Sequence, residues 1–135
     1  MAGKLCDLGE RLLLDTALVH VPALTLHLIK QAFTPMDVQL VSDLAEADYD
    51  GYAPQSLVYS GLEAGNPGGR AVADFAALTF LCTGSAHPCL IYGYWVENAA
   101  HDVLWLERFN GNARPMQIVG QTVYITPRLR LYSPT

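Results

Sequence analysis

Charged residues are scarce in this chain. Asp, Glu, Lys and Arg make up 16% of its 135 residues, against about 25% in an average soluble domain. Positive charge is scarcest: 8 Lys and Arg stand against 13 Asp and Glu, for a net charge of −5. A binder of phosphate backbones needs clustered cations, so a nucleic-acid partner is not expected. Arg108, Arg114, Arg128 and Arg130 fall late in the chain and read as solvated edge positions. Cysteine is equally sparse. Cys6, Cys82 and Cys89 make an odd count, which gives no disulfide framework and fits a reducing compartment during synthesis. No window approaches the roughly 18 uninterrupted apolar residues of a membrane span. The stretch from Val19 to Ile29 comes nearest, and Pro22, His20 and His27 interrupt it. No basic stretch followed by a long apolar run opens the chain, so neither a secretory leader nor a membrane partner is expected.

Motifs of common chemistry are missing too. The turn Gly65-Asn66-Pro67-Gly68-Gly69 lacks the Lys-Ser/Thr pair and the strand-to-helix setting of a phosphate loop. No GxSxG elbow and no HExxH pair occur. These absences point away from an enzyme, and no cofactor is expected.

Apolar residues are abundant, at 51%. A chain of this length buries roughly two-thirds of its unfolded surface and builds a core without metals or disulfides. The charge deficit has two readings. Part of the surface is covered by a neighbouring subunit, as interface cores lose charge and keep aromatics; or the domain is compact, with long apolar strands.

Along the chain, Asp7 and Glu10 have the spacing of a capping box. Leu12, Leu13, Ala17 and Leu18 then fall on one helical stripe, which predicts a short helix over residues 8–20 that ends before Pro22. Residues 1–22 form an N-terminal helical arm on this reading, and 23–135 a single antiparallel β domain. Leu24, Leu26 and Leu28 alternate with Thr25, His27 and Ile29, the period of a strand. Residues 42–46 predict one helical turn capped by Ser42. Further strands are expected near 55–59, 71–82, 90–97, 103–109, 117–119, 122–126 and through Leu129 and Leu131, with loops at 63–70, 83–88, 98–102 and 110–112. The 90–97 and 103–109 segments should pair as a hairpin whose aromatics set the register. Many short strands separated by turns, with no βαβ rhythm, predict a mainly β fold: an antiparallel β-sandwich or small barrel with a short N-terminal helix.

Four groups of residues invite chemistry. Cys82, His87 and Cys89 lie close in sequence, but match no paired metal-ligand spacing and lack an obvious fourth ligand, so no metal site is expected. His27 sits within an apolar strand and reads as a hydrogen-bonded core or edge residue before it reads as a base. Glu107 shares a strand face with Trp105 and Phe109, so its carboxylate is half exposed or paired, with Arg128 or Arg130 as available partners. Tyr92, Tyr94, Trp95 and Trp105 form either core and subunit contacts or a platform for a sugar or peptide.

Several segments, in order, carry a resemblance. Leu8-Gly9-Glu10 with Leu12-Leu13-Leu14-Asp15 is followed by Leu24-Thr25-Leu26-His27-Leu28 and Thr34-Pro35. Next come the acidic and aromatic run Glu46-Ala47-Asp48-Tyr49-Asp50-Gly51-Tyr52-Ala53, the segments Ile91-Tyr92-Gly93-Tyr94-Trp95-Val96 and Leu104-Trp105-Leu106-Glu107-Arg108-Phe109, and a closing Ile125-Thr126-Pro127 with Leu129 and Leu131. Together they resemble a family of small structural proteins of tailed bacteriophage virions. The resemblance implies a capsid decoration, or cement, subunit on the capsid exterior. Such a subunit is made in the host cytoplasm, has the major capsid protein or other virion subunits as partners, and is a homo-oligomer, with a trimer at local three-fold positions favoured. A tail or fibre-base component is the nearest alternative within that class, and a carbohydrate- or peptide-binding β module lies outside it. The resemblance marks no catalytic residue. Subunit contacts are expected from Leu12, Leu13 and Leu18 in the arm and from Tyr92, Tyr94, Trp95 and Trp105 in the hairpin.

Overall fold

The computed structural model of the chain describes residues 24–34, 41–63 and 71–131. The expected helical arm, with Leu12, Leu13 and Leu18, lies outside them, as does the glycine-rich loop at 64–70. The described residues form eleven strands, every pair antiparallel, and a single 3-10 turn at Val41–Asp43. The fold is mainly β, and its sheets do not close into a barrel.

The strands fall into two compact units. The larger draws on Ala23–Ser56 and Leu78–Ile125. Its main sheet has the order β2 (Gln55–Ser56), β1 (Thr25–Ile29), β7 (Gly93–Glu97), β8 (Val103–Arg108). Two ribbons accompany it: β5 (Leu78–Leu81) with β10 (Thr122–Ile125), and β6 (Cys89–Ile91) with β9 (Arg114–Met116). The smaller unit draws its described strands from Leu57–Ala77 and Thr126–Thr135. They form one three-stranded sheet, β11 (Arg128–Leu131), β4 (Ala71–Phe75), β3 (Tyr59–Glu63). In that sheet the Arg128 guanidinium meets the Asp74 carboxylate at 2.6 Å, beside the backbone pair Arg128↔Asp74.

Local chemistry explains where the strands stop. The expected strand over 71–82 breaks at Ala76 and Ala77 and yields β4 and β5, which join different sheets. The expected strand over 90–97 breaks at Tyr92. On one side of that break β6 pairs with β9; on the other, β7 enters the main sheet. Tyr92 N–H donates to Ile29 and its carbonyl accepts from Phe109 N–H, so the chain changes sheet with its backbone groups satisfied. Gly93 makes the change sterically feasible. A Cβ there would overlap the Glu107 carbonyl oxygen and lie 2.8 Å from the Phe33 ring. Residues 117–119, expected as strand, are instead a turn, because the Gln121 side chain accepts from Gln117 N–H at 2.6 Å and from Ile118 N–H at 3.0 Å. Two side-chain bonds to consecutive amides favour a turn over a ladder.

Central strand β7 is buried throughout. One face of it sets Tyr94 and Val96 against Leu28 and Leu26, its direct partners on β1. Phe80, Ile91, Met116 and Val123 from the ribbons are likewise buried. The other face of β1 and β7 carries His27, Trp95 and Glu97, and the polar cluster forms there.

Candidate functional site

The register of three neighbouring segments, β1, β7 and the stretch at Glu46, builds this cluster. His27 lies directly opposite Trp95 on β7, and the two rings stack at 4.6 Å with planes 7° apart. Glu97 is two residues beyond Trp95, on the diagonal from His27. On the other edge of β1, Ile29 pairs with Glu46 through an isolated bridge, so Glu46 lies on the opposite diagonal. Diagonal neighbours in a sheet are within reach of long side chains.

His27 Nδ1–H donates to Glu46 Oε2 at 2.5 Å. Its Nε2 lies 2.7 Å from Glu97 Oε1, without hydrogen-bond geometry. Glu97 is itself 6% exposed and also accepts from Trp95 Nε1 at 3.4 Å, while His101 Nδ1 approaches its Oε1 at 3.3 Å. Charges this deeply buried persist only when paired.

Glu46 opens the segment Glu46–Ala53, in which the side chains of Glu46, Asp48, Asp50 and Tyr52 bond neighbours. Tyr52 O–H donates to Glu46 Oε2 at 2.6 Å and accepts from Leu28 N–H at 3.1 Å. Burial, and then the Glu46 carboxylate, push the Tyr52 phenol far above its ordinary value. Asp48 receives Lys30 Nζ at 2.8 Å. Tyr49 is buried; burial first, then the Cys89 and Cys82 thiols, push its phenol up. Asp50 accepts from His87 Nδ1 at 2.7 Å and from Ala86 N–H at 2.9 Å, and its carbonyl accepts from Thr83 N–H. The side-chain bond from His87, followed by the one from Ala86, holds the Asp50 carboxyl below the ordinary range. A depressed carboxyl contributes stability above the ordinary value, lost as pH falls through the folded-state value. Gly51 turns the chain at φ 91°, where a Cβ would also strike Thr83 Oγ1 at 2.6 Å. The run thus acts as a clamp between β1 and the 83–88 loop.

Other residues singled out from the sequence are dispersed. His87 bonds Asp50, Cys82 Sγ–H donates to the Gly84 carbonyl at 3.0 Å, and burial pushes the half-buried Cys89 thiol up. Glu107 is exposed, and the bond the structure gives it lies within the hairpin. It accepts from Tyr94 O–H at 2.7 Å, while Arg128 serves Asp74. Glu107 and Tyr94 face each other across the β7–β8 hairpin, so register chose the partner. Tyr94 and Trp95 have almost no surface to offer a neighbour, being 3% and 1% exposed. Of the four hairpin aromatics expected as contacts, only Tyr92 and Trp105 are partly exposed. An aromatic sugar platform loses its two central rings for the same reason.

Sequence reasoning did not find Glu46 and Glu97 as partners of His27. The signal was present in part: His27 interrupts an apolar strand, and Trp95 and Glu97 share a face at a spacing of two. Apolar surface is the other conspicuous feature. Leu81, Tyr124, Ile118 and Val119 are 49%, 66%, 59% and 70% exposed, and Leu90, Leu104, Val58 and Tyr59 are also exposed. No family model, curated protein or solved structure matches this chain.

Proposed function

We propose that the chain is a structural assembly subunit that acts by binding protein surfaces, and specifically a tailed-phage virion protein of the capsid decoration type. The observation that carries this reading is the contrast between its polar and apolar groups. The titratable residues of the buried cluster are engaged with one another, whereas large apolar side chains stand in solvent on strands and turns of a chain poor in charge. Exposed apolar side chains that fall together on one face mark interaction surface, whereas singly scattered ones do not. The virion assignment rests on the ordered segments from Leu8 to Leu131 that resemble phage structural proteins. A cement subunit gains from weak contacts because many copies act on one lattice.

On this reading the larger unit is a β-sandwich. The inward faces of the main sheet and of the β5–β10 and β6–β9 ribbons supply its core, through Leu26, Leu28, Phe80, Val123, Ile91 and Met116. The partners are the major capsid protein or other virion subunits, on the capsid exterior.

A mass-spectrometric inventory of purified virions, with copy number per particle, tests the proposal. A chain present in a fixed, high ratio to the major capsid protein supports it. A few copies per particle assign it to the tail or fibre base. Absence from the particle overturns it.

A further inference from the structure

The outward face of the β5–β10 ribbon is a small apolar surface with a defined pattern. Its register sets Leu81 beside Thr122 and Thr79 beside Tyr124. Phe80, Leu78, Val123 and Ile125 turn inward and are buried, so these four side chains make up the outward face. Two large apolar side chains thus occupy one diagonal and two threonines the other. The turn that leads into β10, at the Leu81–Thr122 end, carries the exposed side chains of Ile118 and Val119.

That turn is held in one shape. Gln121 Oε1 accepts from two consecutive amides, Gly120 N–H donates to the Cys82 carbonyl at 3.0 Å, and Cys82 N–H donates to the Gln121 carbonyl at 2.9 Å. Two exposed apolar side chains therefore stand on a fixed scaffold, and little ordering entropy is lost when something covers them.

We propose that this face pairs with the same face of a second copy of the chain about a two-fold axis. Two observations choose that occupant. First, the face carries no charge on a chain of net charge −5. Arg114 reaches the backbone of this ribbon, its Nη1 donating to the Tyr124 carbonyl at 3.4 Å, while its guanidinium lies over the Phe109 ring, 4.0 Å from the centre. Like-charged copies repel over most of their surfaces, and this is a place where they meet without opposing charges. Second, the pattern is self-complementary. An axis lying in the face and parallel to the strands sets Leu81 on Thr122 of the partner subunit and Tyr124 on Thr79 of the partner subunit. Large thus meets small at every position, and the two turns come together at one end. An isologous contact requires this property of a patch.

Six side chains fall well short of the about 20–30 residues a side of a standard stable interface. The dimer is therefore weak and concentration-dependent. The inference rests on the assembly reading only in taking exposed apolar surface as contact surface, and it replaces the expected three-fold contact with a two-fold one.

Sedimentation equilibrium of the full chain across the micromolar range tests it, with Tyr124→Glu and Val119→Asp as variants and Val58→Asp, exposed in the smaller unit, as control. Circular dichroism reports whether each variant folds, and Val119, on a turn and largely in solvent, keeps the test open if the strand variant does not. The wild type should rise from one to two chain masses with concentration. Each folded variant should weaken the dimer at least about tenfold, while the control leaves it unchanged. A wild type that stays monomeric, one that settles at three masses, or variants that dimerise normally would each overturn the inference. A trimer leaves the virion reading intact, whereas a clean dimer absent from virions sinks that reading and keeps this one.

Discussion

His27 is the residue that joins the buried polar cluster, through Glu46 on one side and Glu97 on the other. Its ring stands between two carboxylates, and Glu97 has almost no access to water. Removing one member of a buried ion pair leaves the others uncompensated, at a cost of about 3–5 kcal/mol. His27→Ala should fall near the lower end of that range, because the Glu46 side chain is 39% exposed and keeps some hydration. Urea unfolding midpoints measure the loss, and His27→Ala with Glu97→Gln should recover part of it by removing the stranded charge. Recovery of nothing would mean that the loss comes from the Trp95 stack. The buried phenols give a second expectation at the other end of the pH scale. Tyr49, Tyr52 and Tyr94 are all pushed up, in each case chiefly by burial. A phenol whose folded value exceeds its unfolded value of about 10 contributes stability that is complete below that value and fades as pH rises above it. An alkaline absorbance titration should therefore show Tyr49, Tyr52 and Tyr94 ionising only together with unfolding. Ionisation of these three with the fold intact would contradict the burial assigned to them.

The β6–β7 corner is the element that most constrains the larger unit, because one continuous segment serves two sheets across Tyr92. Gly93→Ala presses a methyl group against the Glu107 carbonyl and the Phe33 ring. Backbone does not yield as a flexible side chain does, so a loss of about 1–3 kcal/mol or more is expected, read as a lowered melting temperature. Strand positions were legible from alternation and turn residues at β1, β8, β10 and β11, and the 98–102 hairpin loop was legible too. In that loop Asn98 Oδ1 accepts from Ala100 and Asp102 N–H, local chemistry that sequence displays. Changes of sheet were not legible. Ala76–Ala77 carries no breaker residue, a lone Gly93 beside Tyr92 does not by itself say that the chain changes sheet, and a long apolar run reads the same whether it stays in one sheet or enters two. The 117–119 turn was missed because Ile118 and Val119 favour strands, while the decisive group, the Gln121 side chain, lies outside the run. The His27 cluster was hidden for a related reason. Glu46, His27 and Glu97 meet through register across nineteen and seventy residues, and pairing partners are not written in spacing along the chain. The segment Glu46–Ala53 was visible as a motif, and its role as a clamp became clear only from what each side chain touches.

Net charge and apolar face act in opposite directions on the whole molecule. Each copy carries −5, so two copies approaching at low ionic strength repel over the Debye length of about 30 Å at 0.01 M salt. At 0.15 M that length contracts to about 8 Å, and the repulsion fades before the faces touch. Contact at the β5–β10 face involves Leu81, Tyr124, Ile118, Val119 and two threonines, with no cross-copy ion pair for salt to weaken. Self-association should therefore strengthen as salt rises from 0.01 M to 0.15 M and continue to strengthen with sulfate, which is excluded from apolar surface. An interface built on the late arginines Arg108, Arg114 and Arg128 against acidic groups of a second copy has the opposite slope, since screening removes its attraction. Sedimentation of the wild type at fixed concentration across a salt series separates the two. Association that weakens with salt would transfer the contact from the neutral ribbon to the charged edges.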